Sequence, residues 1–481
     1  MWFDGLKEQR LWSNFEAISR IPRESGNEEG IRNYLLAWAK ENGIEALTDS
    51  IGNVILKKSA TAGMEDVAPI LLQGHMDMVC VKTDDSKHDF TKDPIEIICK
   101  DGVVRAKDTS LGGDNGIAVA MAMDIFTDPE LKHGPLEALF TISEETGLTG
   151  AFGLDAKNIG SRRMINLDSE EEDVIYIGCA GGIEVDATKK IKFEAVEKDS
   201  LLFTLSVSGL LGGHSGGEIH KQRANAIKLL ARTLHRIDGI QLVSISGGTK
   251  RNVIPSFAIV SFVAAREREE VITSIITEAF KEIKAEYKVQ DPDIEYTLKV
   301  EDECPEMAIE QKLTKRWINA LYLAHHGVYT YSLTLKGIVE TSANLAIVGI
   351  NENEELYAVS SVRSSVESAK NEVAYLIAAA FETAKADIVY SGSYPAWTPN
   401  TDSPFTLEVA KKYEEFTKRK PVITAIHAGL ECGIINSIVD GMDSLSIGPN
   451  LFDVHSTKEH VEVKSVENIL AFLKYFLSTA K

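Results

Sequence analysis

Five short stretches of this 481-residue chain place His, Asp or Glu where they could act on a substrate. In Leu111-Gly112-Gly113-Asp114-Asn115-Gly116 one carboxylate sits among glycines, which let the backbone turn sharply and let other groups come close. The apolar run from Ile117 to Phe126 reads as a buried helix, which puts Asp114 at or near a helix N-terminus. His75 and Asp77 are two apart, so a strand end could aim both to one side, and a carboxylate behind a ligating imidazole fixes its tautomer. A plain surface turn would read the same way.

Glu144 and Glu145 are adjacent carboxylates, costly to bury together unless a cation or a shared proton compensates. With a metal present, one could ligate while the other takes a proton from water. The alternative is a solvated helix start capped by Ser143. Asp168 directly follows Ile165-Asn166-Leu167, whereas the acids from Glu170 to Asp173 read as a solvated loop. His455 lies in the stretch 448–457, and His460 is set aside because Thr457-Lys458-Glu459 looks exposed. His88, His133, His220, His235, His325 and His326 have no setting that argues for a role. Two His and three or more carboxylates, with no cysteine alternative, suit two borderline metals sharing Asp114: zinc, and equally cobalt or manganese.

The elements that must position these groups repeat one pattern. Apolar strands at Pro69–Leu72, Leu136–Ile142, Met164–Leu167 and Ser444–Ile447 each run into a polar group just past their carboxyl ends. Open α/β sheets place their sites there, in the crevice formed by the loops. Upstream, Leu11–Ile18 and Ile31–Ala39 have helical spacing, and Asn53–Leu56 reads as a strand. From about Ile183 to Ala396 the chain changes character. Helical patterns at Ala224–Leu234, Val271–Ile283, Leu313–Ala324 and Val373–Ala384 alternate with strands at Leu202–Ser208, Val253–Val263, Ala343–Val348 and Leu356–Val362. This reads as an α+β domain, with a weak internal duplication, inserted into an α/β domain of residues 1–182 and 397–481. Gly181-Gly182 and the turn-rich Ser391-Gly392-Ser393-Tyr394-Pro395 are the expected joints.

A net charge of −21 argues against nucleic acid and anionic membranes as partners. Met1-Trp2-Phe3 is followed at once by Asp4, Lys7, Glu8 and Arg10, which leaves no signal-peptide core, and no apolar run reaches the length of a membrane span. The five cysteines are scattered and never form a CxxC pair, as in a reducing compartment. The expected location is cytoplasmic.

Gly74-His75-Met76-Asp77, Gly113-Asp114-Asn115-Gly116, Ser143-Glu144-Glu145, Leu167-Asp168-Ser169 and Val454-His455-Ser456 resemble, in order, the five site motifs of the co-catalytic zinc M20 peptidases. The phrasing Gly-His-Met-Asp-Met-Val and Ile-Ser-Glu-Glu-Thr-Gly is similar to the aminoacyl-histidine (cytosolic nonspecific) dipeptidases of that family. The resemblance implies a zinc-peptidase-like α/β/α catalytic domain with an inserted lid at 183–396. It implies that His75, Asp114 and Asp168 hold one metal and that Asp114, Glu145 and His455 hold the other. Asp77 would orient His75, the Asp114-Asn115 peptide bond would be cis, and Glu144 would be the general base for the water between the metals.

In the lid, the resemblance makes His214 of Gly212-Gly213-His214-Ser215-Gly216-Gly217 a donor to the oxyanion, although a Gly-rich turn reads alike. Asn252 and Arg363 would grip the substrate carbonyl and carboxylate, a surface ion pair being the other reading of Arg363. His427-Ala428-Gly429-Leu430-Glu431 resembles a substrate segment, with Glu431 meeting a free amino terminus. The expected activity is hydrolysis of unblocked dipeptides, Xaa-His among them, by a monomer or homodimer. An N-acyl amino acid deacylase of the same superfamily is the alternative, and a non-catalytic binding protein the more distant one.

Overall fold

The computed structural model describes residues 1–480. They form two compact units: one holds Met1–Gly178, Pro399–Ala425 and the chain from Leu430 onward, the other Cys179–Thr398 and Ile426–Gly429. The expected boundaries at 182 and 397 do not include that last excursion. It assigns His427 to the second unit and leaves Glu431 with the first.

The first unit is built on an eight-stranded sheet in the order Glu45–Thr48, Val54–Lys58, Leu136–Thr141, Ile70–His75, Arg163–Asn166, Asp443–Ser446, Val174–Cys179, Val422–Ile426. Its four middle strands, from Leu136–Thr141 to Asp443–Ser446, are mutually parallel. Strands of this kind are covered on both faces and read as unbroken apolar runs. Accordingly, every residue of Leu136–Thr141 and Ile70–His75 is buried. All four run the same way, so their carboxyl ends, with the polar groups that follow them, lie along one edge of the sheet.

The helix Gly113–Thr127 is apolar on nearly every side and buried all round from Asn115 to Phe126, its one buried charge, Asp124, being paired with Arg10 and Lys474. Its neighbours in the same core are the amphipathic helices Gln9–Ser19, contributing Trp12 and Phe15, and Val463–Thr479, contributing Leu470, Leu473 and Phe476.

The second unit carries a nine-stranded antiparallel sheet and four helices, Ala226–Leu234, Glu269–Glu286, Gln311–Leu323 and Glu367–Glu382. Eight strands follow one another as Glu295–Glu301, Ser200–Ser208, Ala258–Ala265, Gln241–Gly247, Val339–Ile350, Glu355–Ser364, Gly181–Lys190 and Asp387–Tyr394. This order is symmetric about the junction where Gly247 pairs with Val348. Each half supplies strand, helix, two paired strands, helix and edge strand, and the first half is inserted between Gly181–Lys190 and the rest of the second. The repetition sought in the sequence is therefore plain in the topology. The strand expected over Val253–Val263 is broken: Val253–Ile254 pairs with Gly213–His214, and the ladder strand begins only at Ala258. Pro255 has no N–H to give a ladder, so the break falls there. No described helix is long and apolar enough to cross a membrane.

Candidate active site

Asp114 is the centre of the first unit's polar edge. Its Oδ1 lies 3.0 Å from Nε2 of His75 and its Oδ2 lies 3.1 Å from Nε2 of His455. Each oxygen of one carboxylate therefore faces a different imidazole. Asp168 Oδ1 stands 3.5 Å from the same nitrogen of His75, and Glu145 Oε1 stands 3.0 Å from that of His455. The atoms of His75, Asp114 and Asp168 lie within 4.8 Å of one another, as do those of Asp114, Glu145 and His455. A third such group joins Glu144 to His75 and Glu145.

The electrostatics of this cluster are those of a cation site. Burial alone would lower the pKa of His75, but Asp168, Asp114 and Asp77 hold it well above its ordinary value. Hydrogen bonds to Asp114 and Glu145 push His455 up to about 11. Burial drives Asp168 up to about 6 against the pull of His75. Glu144 is held well above the usual carboxylate range, first by burial, then, against the pull of His75, by repulsion from Asp168, Glu431 and Glu145. Without a metal these imidazoles need protons to face carboxylates, and a divalent cation can take the place of those protons. Nitrogen and oxygen donors without sulfur fit zinc, cobalt or manganese. The residues present fit the group.

Asp77 supports both sides of the site. His75 Nδ1 lies 3.3 Å from its Oδ1 and 3.2 Å from its backbone carbonyl. These partners only accept, so Nδ1 donates to Asp77 and Nε2, which faces Asp114 and Asp168, is the nitrogen left to a metal once its proton is given up. The same carboxylate accepts from the backbone N–H groups of Glu144 (3.1 Å) and Glu145 (3.3 Å), and from Ser25 Oγ (2.7 Å). Ser143 does not cap a helix. It has a left-handed backbone, with φ of 48°, and its N–H and hydroxyl both donate to Glu28. His455 is likewise left-handed, with φ of 60°, a conformation of non-glycine residues that recurs at functional sites. Gly112 is left-handed too, and a side chain there would collide with Arg23 and Met78. The Asp114-Asn115 peptide bond is cis.

Two residues that the sequence reading passed over hold this edge together. Glu459, in the stretch expected to be exposed, is 2% exposed. It accepts from the N–H groups of Leu111 (2.7 Å), Gly112 (3.0 Å) and Asp114 (3.1 Å). Arg23, also buried, donates to the carbonyls of Gly112 (2.5 Å), Asp77 (3.0 Å) and Met76 (3.2 Å). An acid in a charged stretch looks solvated in sequence, and only its distant partners show otherwise.

Glu431 is fully buried at the start of the helix Glu431–Ile438. Its Oε2 accepts from Gln73 (2.5 Å) and Thr141 (2.7 Å), while Oε1 has no hydrogen-bond partner. Burial raises its pKa to about 7. Gln73 continues the network to Asn166 and Ser446 across the parallel strands, and Asn166 in turn accepts the N–H of Asp168.

His214, Asn252, Arg363 and His427 all belong to the second unit. His214 Nδ1 accepts the N–H groups of Gly216 (3.2 Å) and Gly217 (3.0 Å), so its proton is on Nε2. Burial and the nearby Arg363 lower its pKa, which keeps the ring neutral and Nε2 a donor. The strand pair that carries His214 is held to Asn252 by the bond from Ser215 N–H to its carbonyl, 2.9 Å, and the Asn252 side chain is exposed. Arg363 donates to the hydroxyl of Tyr394 (2.9 Å), leaving its buried Nε without a partner. His427 Nε2 meets the Ser342 hydroxyl (2.7 Å), Ser342 pairs with Arg363 across the strands, and His427 Nδ1 is buried and unpartnered. Burial and Arg363 bring the His427 pKa down to about 3. Unsatisfied buried donors are uncommon and call for a ligand or a water.

Known proteins resemble this chain over its whole length. The chain is 38% identical over 478 residues to the cytosol non-specific dipeptidase of Escherichia coli (strain K12), covering 98% of both chains. Its structure resembles the aminoacylhistidine dipeptidase of Vibrio alginolyticus with a TM-score of 0.93 at 36% identity, covering 100% of this chain and 98% of that one. An aminopeptidase of Bacillus cereus shares the fold, with a TM-score of 0.58 at 17% identity and 98% coverage of each chain. The profile of peptidase family M20/M25/M40 matches residues 71–479, from the strand that ends at His75 to the last helix. On the full-length likeness and on that match, the chain belongs to peptidase family M20/M25/M40.

Proposed function

We propose that the protein is a metal-dependent dipeptidase acting on unblocked dipeptides, Xaa-His among them, with the first unit catalytic and the second carrying substrate recognition. The observation that carries this reading is Asp114, each of whose oxygens faces a different imidazole, with Glu144 in reach of the same cluster. His75, Asp114 and Asp168 would hold one divalent ion, and Asp114, Glu145 and His455 the other, zinc being the first choice and cobalt or manganese the alternatives. When bound, the ions polarise the scissile carbonyl and make water a better nucleophile at neutral pH.

The chain's own groups do the rest. Glu144 takes a proton from the attacking water and returns it to the leaving amine; its raised pKa suits a carboxylate that must hold a proton between the two steps. Asp77 keeps His75 in the tautomer that offers Nε2. His214 Nε2–H donates to the oxyanion, and the exposed Asn252 amide to a substrate carbonyl. The unpartnered Nε–H of Arg363 serves the terminal carboxylate, with His427 beside it. The unpartnered Oε1 of Glu431 would meet the substrate's amino group. The assembly we infer is a monomer or a homodimer, and the duplicated topology of the second unit is compatible with either. The scattered free cysteines and the relative's cytosolic name support a cytoplasmic location.

Chelator-stripped protein, with zinc, manganese or cobalt restored, tests this against unblocked dipeptides, β-alanyl-histidine and N-acetyl amino acids. Metal-restored cleavage of unblocked dipeptides is the expected result. Cleavage mainly of the acetylated set would make the protein a deacylase and remove the role of Glu431. No metal-dependent cleavage of either set would return it to the binding proteins.

A further inference from the structure

We propose that Glu459 is a positioning residue: its buried carboxylate clamps the loop that carries Asp114 to the segment that carries His455, and so sets the metal affinity of the site those two residues share with Glu145. The proposal rests on the ligand reading above and adds a residue to it.

The geometry is specific. Leu111, Gly112 and Asp114 open the helix Gly113–Thr127, where backbone N–H groups have no partners inside the helix. All three turn to one side chain. Glu459 Oε2 takes Leu111 and Gly112, at 2.7 and 3.0 Å, and Oε1 takes Asp114 itself, at 3.1 Å. Both oxygens are thus engaged as acceptors, which only a carboxylate can do without presenting an N–H to a donor.

Glu459 lies four residues after His455, and its own N–H closes a turn onto Ser456, at 3.2 Å. A shift of its side chain therefore moves Asp114 and His455 relative to each other. The buried Arg23 guanidinium, which interacts electrostatically with Glu459, donates to the carbonyls of Gly112, Asp77 and Met76. A buried carboxylate beside Asp114 would repel it if the fold alone were at stake; bonded to N–H groups and faced by Arg23, it fixes the backbone instead.

The test is zinc titration of chelator-stripped protein by calorimetry, comparing the wild type with Glu459→Gln, Glu459→Asp and His455→Ala. Glu459→Gln keeps the shape but turns one acceptor into a donor. One of the two zinc sites should weaken by about ten- to a hundredfold, as when other outer partners of metal ligands are changed. With saturating metal its kcat should recover to near the wild-type value, which a general folding defect would not allow. Glu459→Asp keeps the charge on a shorter arm and should weaken the same site less. It also serves as the decisive variant if the glutamine form melts below the assay temperature. Wild-type affinity at both sites in the folded Glu459 variants overturns the proposal. If His455→Ala also keeps both sites, the ligand assignment itself is wrong; if His455→Ala loses one and the Glu459 variants lose none, only the clamp is wrong.

Discussion

The two units of this chain tune the same side chain in opposite directions. In the first, His75 and His455 face carboxylates and hold protons far more tightly than a free imidazole does. In the second, His427 and His214 lie near the Arg363 guanidinium, and burial with that charge keeps both neutral. One region gathers negative charge and asks for a cation; the other gathers donors and asks for an anion. In the proposed reaction the first region would serve the scissile carbonyl and the second the terminal carboxylate. The histidine itself is indifferent, and its neighbours decide what it does.

The largest expected effect lies in the cation-seeking region. Glu144→Gln should cut kcat by about a hundred- to ten-thousandfold, the usual worth of a general base, while calorimetry still counts the same bound metal. A near-normal rate would remove Glu144 from its role. In the anion-seeking region, Arg363→Ala should raise KM for dipeptides by roughly ten- to a hundredfold, the worth of a charge-assisted hydrogen bond. It should barely affect dipeptide amides, which lack the carboxylate. Equal losses on acids and amides would mean that Arg363 supports the fold and not the substrate.

Acid should separate the regions as well. His427 and His326, both in the second unit, have pKa values of about 3 against 6.5 for a free imidazole, each because burial disfavours the charge. Below pH 6.5 the unfolded chain takes up these protons and the folded one does not, so their contribution to stability is complete above that pH and falls as pH drops toward 3. Urea melts followed from pH 7 to 4 should show the loss, and His427→Gln with His326→Gln should lessen it. An unchanged slope in the double variant would contradict the assignment. The smallest effect is expected from Tyr394→Phe, which removes the hydroxyl that receives Arg363. A single such bond is worth about 1 kcal/mol, or roughly a fivefold rise in KM for acids with kcat unchanged. A change in kcat that is the same for acids and amides would make Tyr394 a packing residue only.

Much of the first unit was legible because its signals are local. A buried parallel strand is an apolar run, and the groups past its end follow within a few residues, so His75, Glu144, Asp168 and the His455 loop could be read as strand ends before any partner was known. The glycines around Asp114 likewise announced a tight turn. What escaped reading depends on residues far apart. Glu459 meets the 111–114 loop across some 345 residues of chain, and Ser143 meets Glu28 across 115. Neither bond leaves a mark at either end: a Glu between Lys and His looks solvated, and a Ser before two acids looks like a cap. The Pro255 break was legible in principle, since the missing donor is in the sequence, but the apolar run around it outweighed it. The split between His427 and Glu431 was not, because adjacent residues give no hint of which core each joins.

Metal stoichiometry is the most direct test of the first unit as a cation site. Stripped protein titrated with zinc at pH 7.5 should bind two equivalents per chain and release protons as it does so, since the imidazoles facing carboxylates must give theirs up. Asp114→Asn should lose affinity at both equivalents together, because one carboxylate faces both imidazoles. A single equivalent in the wild type, or two that respond to Asp114→Asn independently, would contradict a shared carboxylate at the heart of the site.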